Sequence, residues 1–193
     1  MIPTQQSENI YYALEKICQS QRIFLWEIAK IEGFSPIQIQ FIEFIHKMPM
    51  DQCTVSHLAK EFDLTKATVS DSIRVLVKKG FLEKTVDKED KRRVYLLLSQ
   101  KAKSKMALID DKSHSLIQII DTFDEEQKKN FSQFLMELIK KLYDHGYIQT
   151  ARMCLTCNNM IRNHQEGNPF YCQFANIPMT ENQLKVNCQY YSV

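Results

Sequence analysis

Apolar side chains recur along residues 8 to 32 at Ile10, Leu14, Ile17, Phe24, Leu25, Ile28 and Ile31, at largely helical spacing and with no Pro or Gly inside. This pattern predicts one long helix that ends before Gly33. Ser35-Pro36-Ile37-Gln38 is a helix start: Ser35 can cap, Pro36 suits the first turn and Gln38 can complete a capping box. Phe41, Phe44, Ile45 and Met48 form the apolar stripe of that second helix, and Pro49 lies just past its end.

Two shorter helices follow. Thr54 can cap one with Val55, Leu58, Ala59 and Phe62 facing inward, and Thr65 can cap the next with Val69, Ile73, Leu76 and Val77 inward and Gly80 after its end. Only Asp63 to Thr65 separate them, and so short a join forces a steep crossing, the geometry of a helix-turn-helix. Beyond Gly80 the runs from Phe81 to Val86 and from Arg93 to Leu98 predict two strands joined by a charged tip, Asp87 to Arg92: a β-hairpin wing. Ser99 then precedes a helix to about Ile120. Thr122-Phe-Asp-Glu125 offers a capping box for a last helix, with Phe131, Phe134, Leu135, Leu138 and Leu142 apolar and a stop at Gly146.

Net charge is only +2 over 193 residues, which by itself says nothing of nucleic acid; its distribution says more. Between Thr65 and Arg93 nine Lys and Arg stand against five Asp and Glu, leaving that segment at +4 and the remainder at −2. The apolar runs are far shorter than the roughly 20 residues that span a bilayer, so no membrane segment is expected. The N-terminus shows no basic stretch followed by an apolar core, which points to a cytoplasmic protein.

In a helix-turn-helix the second helix enters the major groove with its first turns nearest the base edges, here Thr65, Lys66, Ala67, Thr68 and Asp71. Thr and Lys can bond bases or phosphates, and Ala67 can pack on a thymine methyl. Arg74 and Lys78 share that outward face and suit phosphate, with Arg74 also able to reach a base. The wing carries Lys88, Lys91, Arg92 and Arg93 on a turn narrow enough for a minor groove, and Asp90 can hold the Arg92 guanidinium in a two-pronged pair. A charged hairpin tip alone is usually just solvated. The order of steep helix pair, Gly80 and basic wing is what favours double-stranded DNA as the partner.

The segment from Ser35 to Ser99, above all LTKATVSDSIRVLVKKGFLEKTVDKEDKRRVYLLLS, resembles the MarR family of winged-helix repressors. Asp87-x-x-Asp90-x-Arg92, the alternating strand after it and Ser99 match that family's hairpin, while Lys88 stands where the family often has proline. The resemblance covers roughly residues 8 to 146. It implies a homodimer with interleaved terminal helices on a pseudo-palindromic operator, and a small, frequently aromatic effector. Ile10, Leu14, Ile17, Phe131, Leu135 and Leu138 agree with it, offering more apolar surface than one small domain needs.

After Gly146 the character changes. Cys154-Leu-Thr-Cys157 is followed by Cys172 and Cys188, and two cysteines at this spacing can turn both sulfurs to one ion. The tail's few apolar residues, among them Phe170, Tyr171, Phe174, Ile177, Leu184 and Val186, are too few to stabilise it alone, so a metal staple is expected. Zinc is the first choice, an iron–sulfur cluster the second, and redox thiols without metal the third. His164 can replace a cysteine, but four thiolates suffice. Cys18 is expected to be a partly buried small hydrophobe, and Cys53 has no assigned part.

The fold class is therefore mainly α with a small β-hairpin wing. Residues 1–34 form a dimerisation helix, 35–99 a winged helix-turn-helix, 100–146 further dimerisation helices, and 147–193 a metal-stapled tail. The function expected is a sequence-specific transcriptional regulator, a repressor, and no enzyme: the histidines are scattered, and neither a Ser/His/Asp set nor a phosphate loop occurs. The alternatives are a thiol or iron–sulfur redox-sensing regulator, and a winged-helix interaction module that does not bind DNA.

Overall fold

Helix α1 (Gln5–Glu32) begins earlier than the apolar recurrence because Thr4 caps it, its hydroxyl accepting the Ser7 N–H at 3.2 Å. The structure, a computed structural model, describes residues 3–165 and 167–192; the side chains of Glu32, of 107–114 and of His164 and Gln165 lie outside that description. Gly33, at φ 65°, turns the chain out of α1. Helix α2 (Pro36–Lys47) starts at Ser35, whose N–H donates to the Gln38 side chain at 3.0 Å in a capping box.

Thr54 caps α3 (Val55–Glu61) and Thr65 caps α4 (Lys66–Lys78), each hydroxyl accepting an N–H three residues on. Asp63 stands between them with φ 51°, the left-handed turn that lets so short a join reverse the chain. Strands β1 (Leu82–Val86) and β2 (Val94–Leu98) pair antiparallel from Leu82 opposite Leu98 to Val86 opposite Val94. The Leu96 N–H donates to the Cys53 carbonyl at 2.8 Å, fastening the wing to the segment before α3.

One core holds these parts together. Phe41, Ile39, Ile42, Leu58, Val69, Ile73, Leu76, Leu82 and Leu96 are fully buried, with Ile28 and Ala29 of α1 at its edge, and Phe34 meets Phe81 edge to face at 4.7 Å. Helix α5 (Gln100–Asp121) is capped by Ser99, whose hydroxyl accepts the Ala102 N–H at 3.1 Å and donates to the Gly80 carbonyl at 2.7 Å.

The cap of α6 (Glu125–Asp144) differs from the sequence expectation. Asp124 and Gln127 make the capping box, not Thr122 and Glu125. Thr122 is still held by α5, its N–H and hydroxyl both donating to the Ile119 carbonyl, so it cannot also open the next helix. The long helices leave much apolar surface outward. Ile10, Ile17 and Trp26 on α1, Ile117 and Ile120 on α5, and Phe131 and Phe134 on α6 are exposed, while Leu14, Leu135 and Leu138 are half-buried. Cys18 is exposed rather than partly buried, because its stretch of α1 projects beyond the core.

The tail contains an antiparallel sheet in the order β3 (Met160–Gln165), β4 (Asn168–Cys172) and β5 (Ile177–Met179). The tail meets the rest of the chain through Arg152, described below, through Thr150, whose hydroxyl donates to the Lys60 carbonyl, through Gln52, whose side chain donates to the Gln189 carbonyl, and through Glu181 against Gln133 of α6. No helix among the described residues is long and apolar enough to cross a membrane.

Candidate nucleic-acid interface

Thr65, Lys66, Ala67, Thr68, Asp71, Arg74 and Lys78 all lie exposed on one side of α4, while Val69, Ile73 and Leu76 on the other side are buried to 0% exposure. The buried stripe therefore fixes which side chains face outward. Thr65 and Thr68 share a hydroxyl contact of 2.9 Å over the helix start, where N–H groups and the helix dipole favour an anion such as a phosphate. Arg74 is paired with Asp71 at 2.9 Å, both side chains mostly exposed, so its guanidinium is aimed along the helix face and is free to exchange that partner for a phosphate.

The wing tip is built by two aspartates. Asp87 accepts the N–H groups of Glu89 and Asp90, each at 2.8 Å, and the Tyr95 hydroxyl at 2.9 Å. These bonds hold its carboxyl below the ordinary carboxylate range, the Asp90 N–H contributing most. Asp90 binds Arg92 with both oxygens, at 3.1 Å to Nε and 3.5 Å to Nη2, and lies 3.8 Å from Arg93 Nε. The Arg92 guanidinium likewise lowers the Asp90 pKa. Lys88, Lys91, Arg92 and Arg93 are exposed around the tip, and the Arg92 side chain at 91% exposure reaches fully into solvent. The two-pronged pair expected from sequence is thus present. The structure brings the α4 residues and the wing cations to one domain as two separate basic elements.

The four tail cysteines gather at one end of the tail sheet. Cys154 and Cys157 flank a 3-10 turn, Cys154–Thr156. Cys172 pairs with Met160, just past Cys157, and the Cys188 N–H donates to the Arg152 carbonyl at 3.1 Å, two residues before Cys154. Burial pushes the Cys154 thiol up, with smaller contributions from the neighbouring thiols of Cys188, Cys157 and Cys172. Among the described residues, no three His, Cys, Asp or Glu side chains are drawn in closely enough to hold a metal ion as they stand. The His164 side chain lies outside the described residues.

Cys53 stands apart from that group. It is buried, with Sγ facing the Pro49 and Met48 carbonyls at 3.4 and 3.6 Å, and burial pushes its thiol up to about 11, so it stays a neutral, structural side chain.

Sequence reasoning missed Arg152. Its side chain is 8% exposed; Nε donates to Glu61 at 2.6 Å and Nη1 to Gln52 at 2.7 Å. The guanidinium also lies over the Phe44 and Tyr191 rings, at 5.2 and 6.0 Å from their centroids. It joins the tail to α2 and α3. Only its unusual burial identifies it, and no sequence pattern carries that.

A buried steep helix pair, an outward α4 face and a basic two-stranded wing define a winged helix-turn-helix protein. Residues 32–93 match the model of the MarR family. BilQ of Clostridium symbiosum, a helix-turn-helix transcriptional regulator, is 28% identical over 129 residues, 64% of this chain and 81% of its own. YetL of Bacillus subtilis, a transcriptional repressor, is 27% identical over 111 residues, 57% and 66% of the two chains. FabT of Streptococcus pneumoniae, solved in complex with DNA, superposes with a TM-score of 0.61 at 26% identity, over 71% of this chain and 97% of that one. Over residues 32–93 the chain is thus similar to MarR-family winged helix-turn-helix regulators, and the cysteine tail lies beyond the matched segment.

Proposed function

We propose that the chain is a cytoplasmic, sequence-specific transcriptional repressor that acts on double-stranded DNA as a homodimer and has no catalytic activity. The observation that carries this is the exposed α4 face from Thr65 to Lys78 beside a wing whose Arg92 is pre-oriented by Asp90. That arrangement suits base edges in a major groove and phosphates in the neighbouring minor groove.

The exposed apolar residues of α1, α5 and α6 support a second copy as the partner that covers them. Two copies would place two recognition helices on half-sites about 10 base pairs apart. A small effector bound between the dimer helices and the DNA-binding unit would shift their relative placement. The tail enters this reading as a metal-holding appendage of the DNA-binding unit.

Selection from a random duplex pool with the full-length protein tests the reading. A pseudo-palindrome with that spacing is expected, and light scattering should give twice the chain mass. Enrichment of no sequence, with binding indifferent to salt, would overturn it in favour of a winged-helix interaction module.

A further inference from the structure

The tail beyond Gly146 buries few apolar residues. Among those described, only Ala151, Met153, Cys154 and Met179 are buried, far too little to offset the ordering of three strands and their turns. Yet the segment is ordered around four cysteines and contacts the winged-helix body through a buried guanidinium.

Three of the four sulfurs receive a backbone N–H group. Lys185 N–H donates to Cys154 Sγ at 3.2 Å, Ser192 N–H to Cys157 Sγ at 3.5 Å, and Ala175 N–H to Cys172 Sγ at 3.5 Å. A neutral thiol gains little from such donors, whereas a thiolate bound to a cation is both oriented and electronically tuned by them. Asn176 and Asn187, each at φ 57°, shape the turns beside Cys172 and Cys188.

We propose that Cys154, Cys157, Cys172 and Cys188 bind one zinc ion as a closed tetrathiolate, and that the bound ion clamps the tail onto the helix-turn-helix unit through Arg152. Four sulfurs leave no open position, so the site is structural rather than catalytic; the sulfurs stand too far apart to hold the ion as described, and binding requires them to close on it to about 2.3 Å. The ligand positions bracket the clamp. Arg152 lies two residues before Cys154 and its carbonyl accepts the Cys188 N–H, while Tyr191, which the guanidinium overlies, donates its N–H to the Cys188 carbonyl at 3.2 Å. Loss of the ion frees the two segments, around Cys154 and around Cys188, that hold Arg152 against Glu61 of α3.

The test uses the full chain purified under reducing conditions without chelator. Elemental analysis should find about one zinc per chain, and cobalt exchanged for it should show the charge-transfer and d–d bands of a tetrahedral tetrathiolate. Cys172→Ser and Cys188→Ser should fail to retain stoichiometric metal, and the cobalt spectrum of the unaltered chain reports the ligand set even where a variant does not fold. Chelation should speed tryptic cleavage within the tail and weaken binding to the selected duplex by about 5-fold or more. Arg152→Gln should do both with zinc retained.

A chain without stoichiometric zinc, one holding iron and acid-labile sulfide, or one whose cysteine variants keep zinc unchanged overturns the site. Unchanged proteolysis and DNA affinity on chelation overturn the clamp. The last readout rests on the DNA-binding reading. Failure of the zinc-loaded protein to bind any duplex counts against that reading alone, because metal content and proteolysis are measured without DNA.

Discussion

Lys91→Ala combined with Arg92→Ala isolates what the wing adds to DNA binding. Both side chains are exposed, and the one pair lost, Arg92 with Asp90, is screened by solvent, so unfolding stability should stay within about 1 kcal/mol of the parent. Each cation placed on a phosphate contributes about 0.9 to the slope of log affinity against log salt. In the proposed dimer two wings, each losing two cations, set a ceiling of about 3.6 on the change in slope. Arg92 shares its charge with Asp90, and if that pair stays closed on DNA only Lys91 counts, giving a floor of about 1.8. Between 50 and 200 mM salt the parent should therefore lose about 12- to 150-fold more affinity than the double variant. Fluorescence anisotropy on the selected duplex and on an unrelated duplex of equal length reads both slopes, and the loss should appear on both. An unchanged slope, or a loss confined to the selected sequence, would refute the assignment of the wing to phosphate contact.

Two further outcomes follow from the core and the wing. Leu76→Ala removes a fully buried side chain from the inner face of α4 and should cost about 2–5 kcal/mol in denaturant unfolding, while Lys78→Ala on the outer face should stay within about 0.5. Asp87 and Asp90 are held below the ordinary carboxylate pKa of about 3.9, so the stability they give the wing is fully present above that value and is lost as pH falls through their lower folded values. Carboxyl NMR titration should place both midpoints below 3.9, and a midpoint at or above it for either residue would contradict the hydrogen-bonded tip.

Much of the winged helix was legible because its signals are local. Thr54, Thr65 and Ser99 each sit directly before a helical apolar stripe, and Gly80 falls where a helix gives way to alternating strands. The wing tip was legible for the same reason, since Asp90 and Arg92 are two residues apart and meet within one turn. The cap of α6 was ambiguous because Thr122 with Glu125 and Asp124 with Gln127 both satisfy the pattern, and the choice depended on where α5 released the chain. The tail sheet was not legible. β5 is only Ile177–Met179, too short to show alternation, and β3 reads Met-Ile-Arg-Asn-His-Gln without it. Arg152 was beyond reach of local pattern, because its partners Glu61 and Gln52 lie 91 and 100 residues away.

Ser99 bears on how the protein can move. One hydroxyl ties the carbonyl of Gly80, at the root of the hairpin, to the first turn of α5, so hairpin and helix share one anchor. With 22 residues at about 1.5 Å each, α5 is a lever of about 33 Å. A tilt of about 10° at its far end sweeps that end through about 6 Å while turning the anchored end by the same angle. The Ser99 hydroxyl is thus the shared anchor through which such a tilt of α5 would reach the root of the wing.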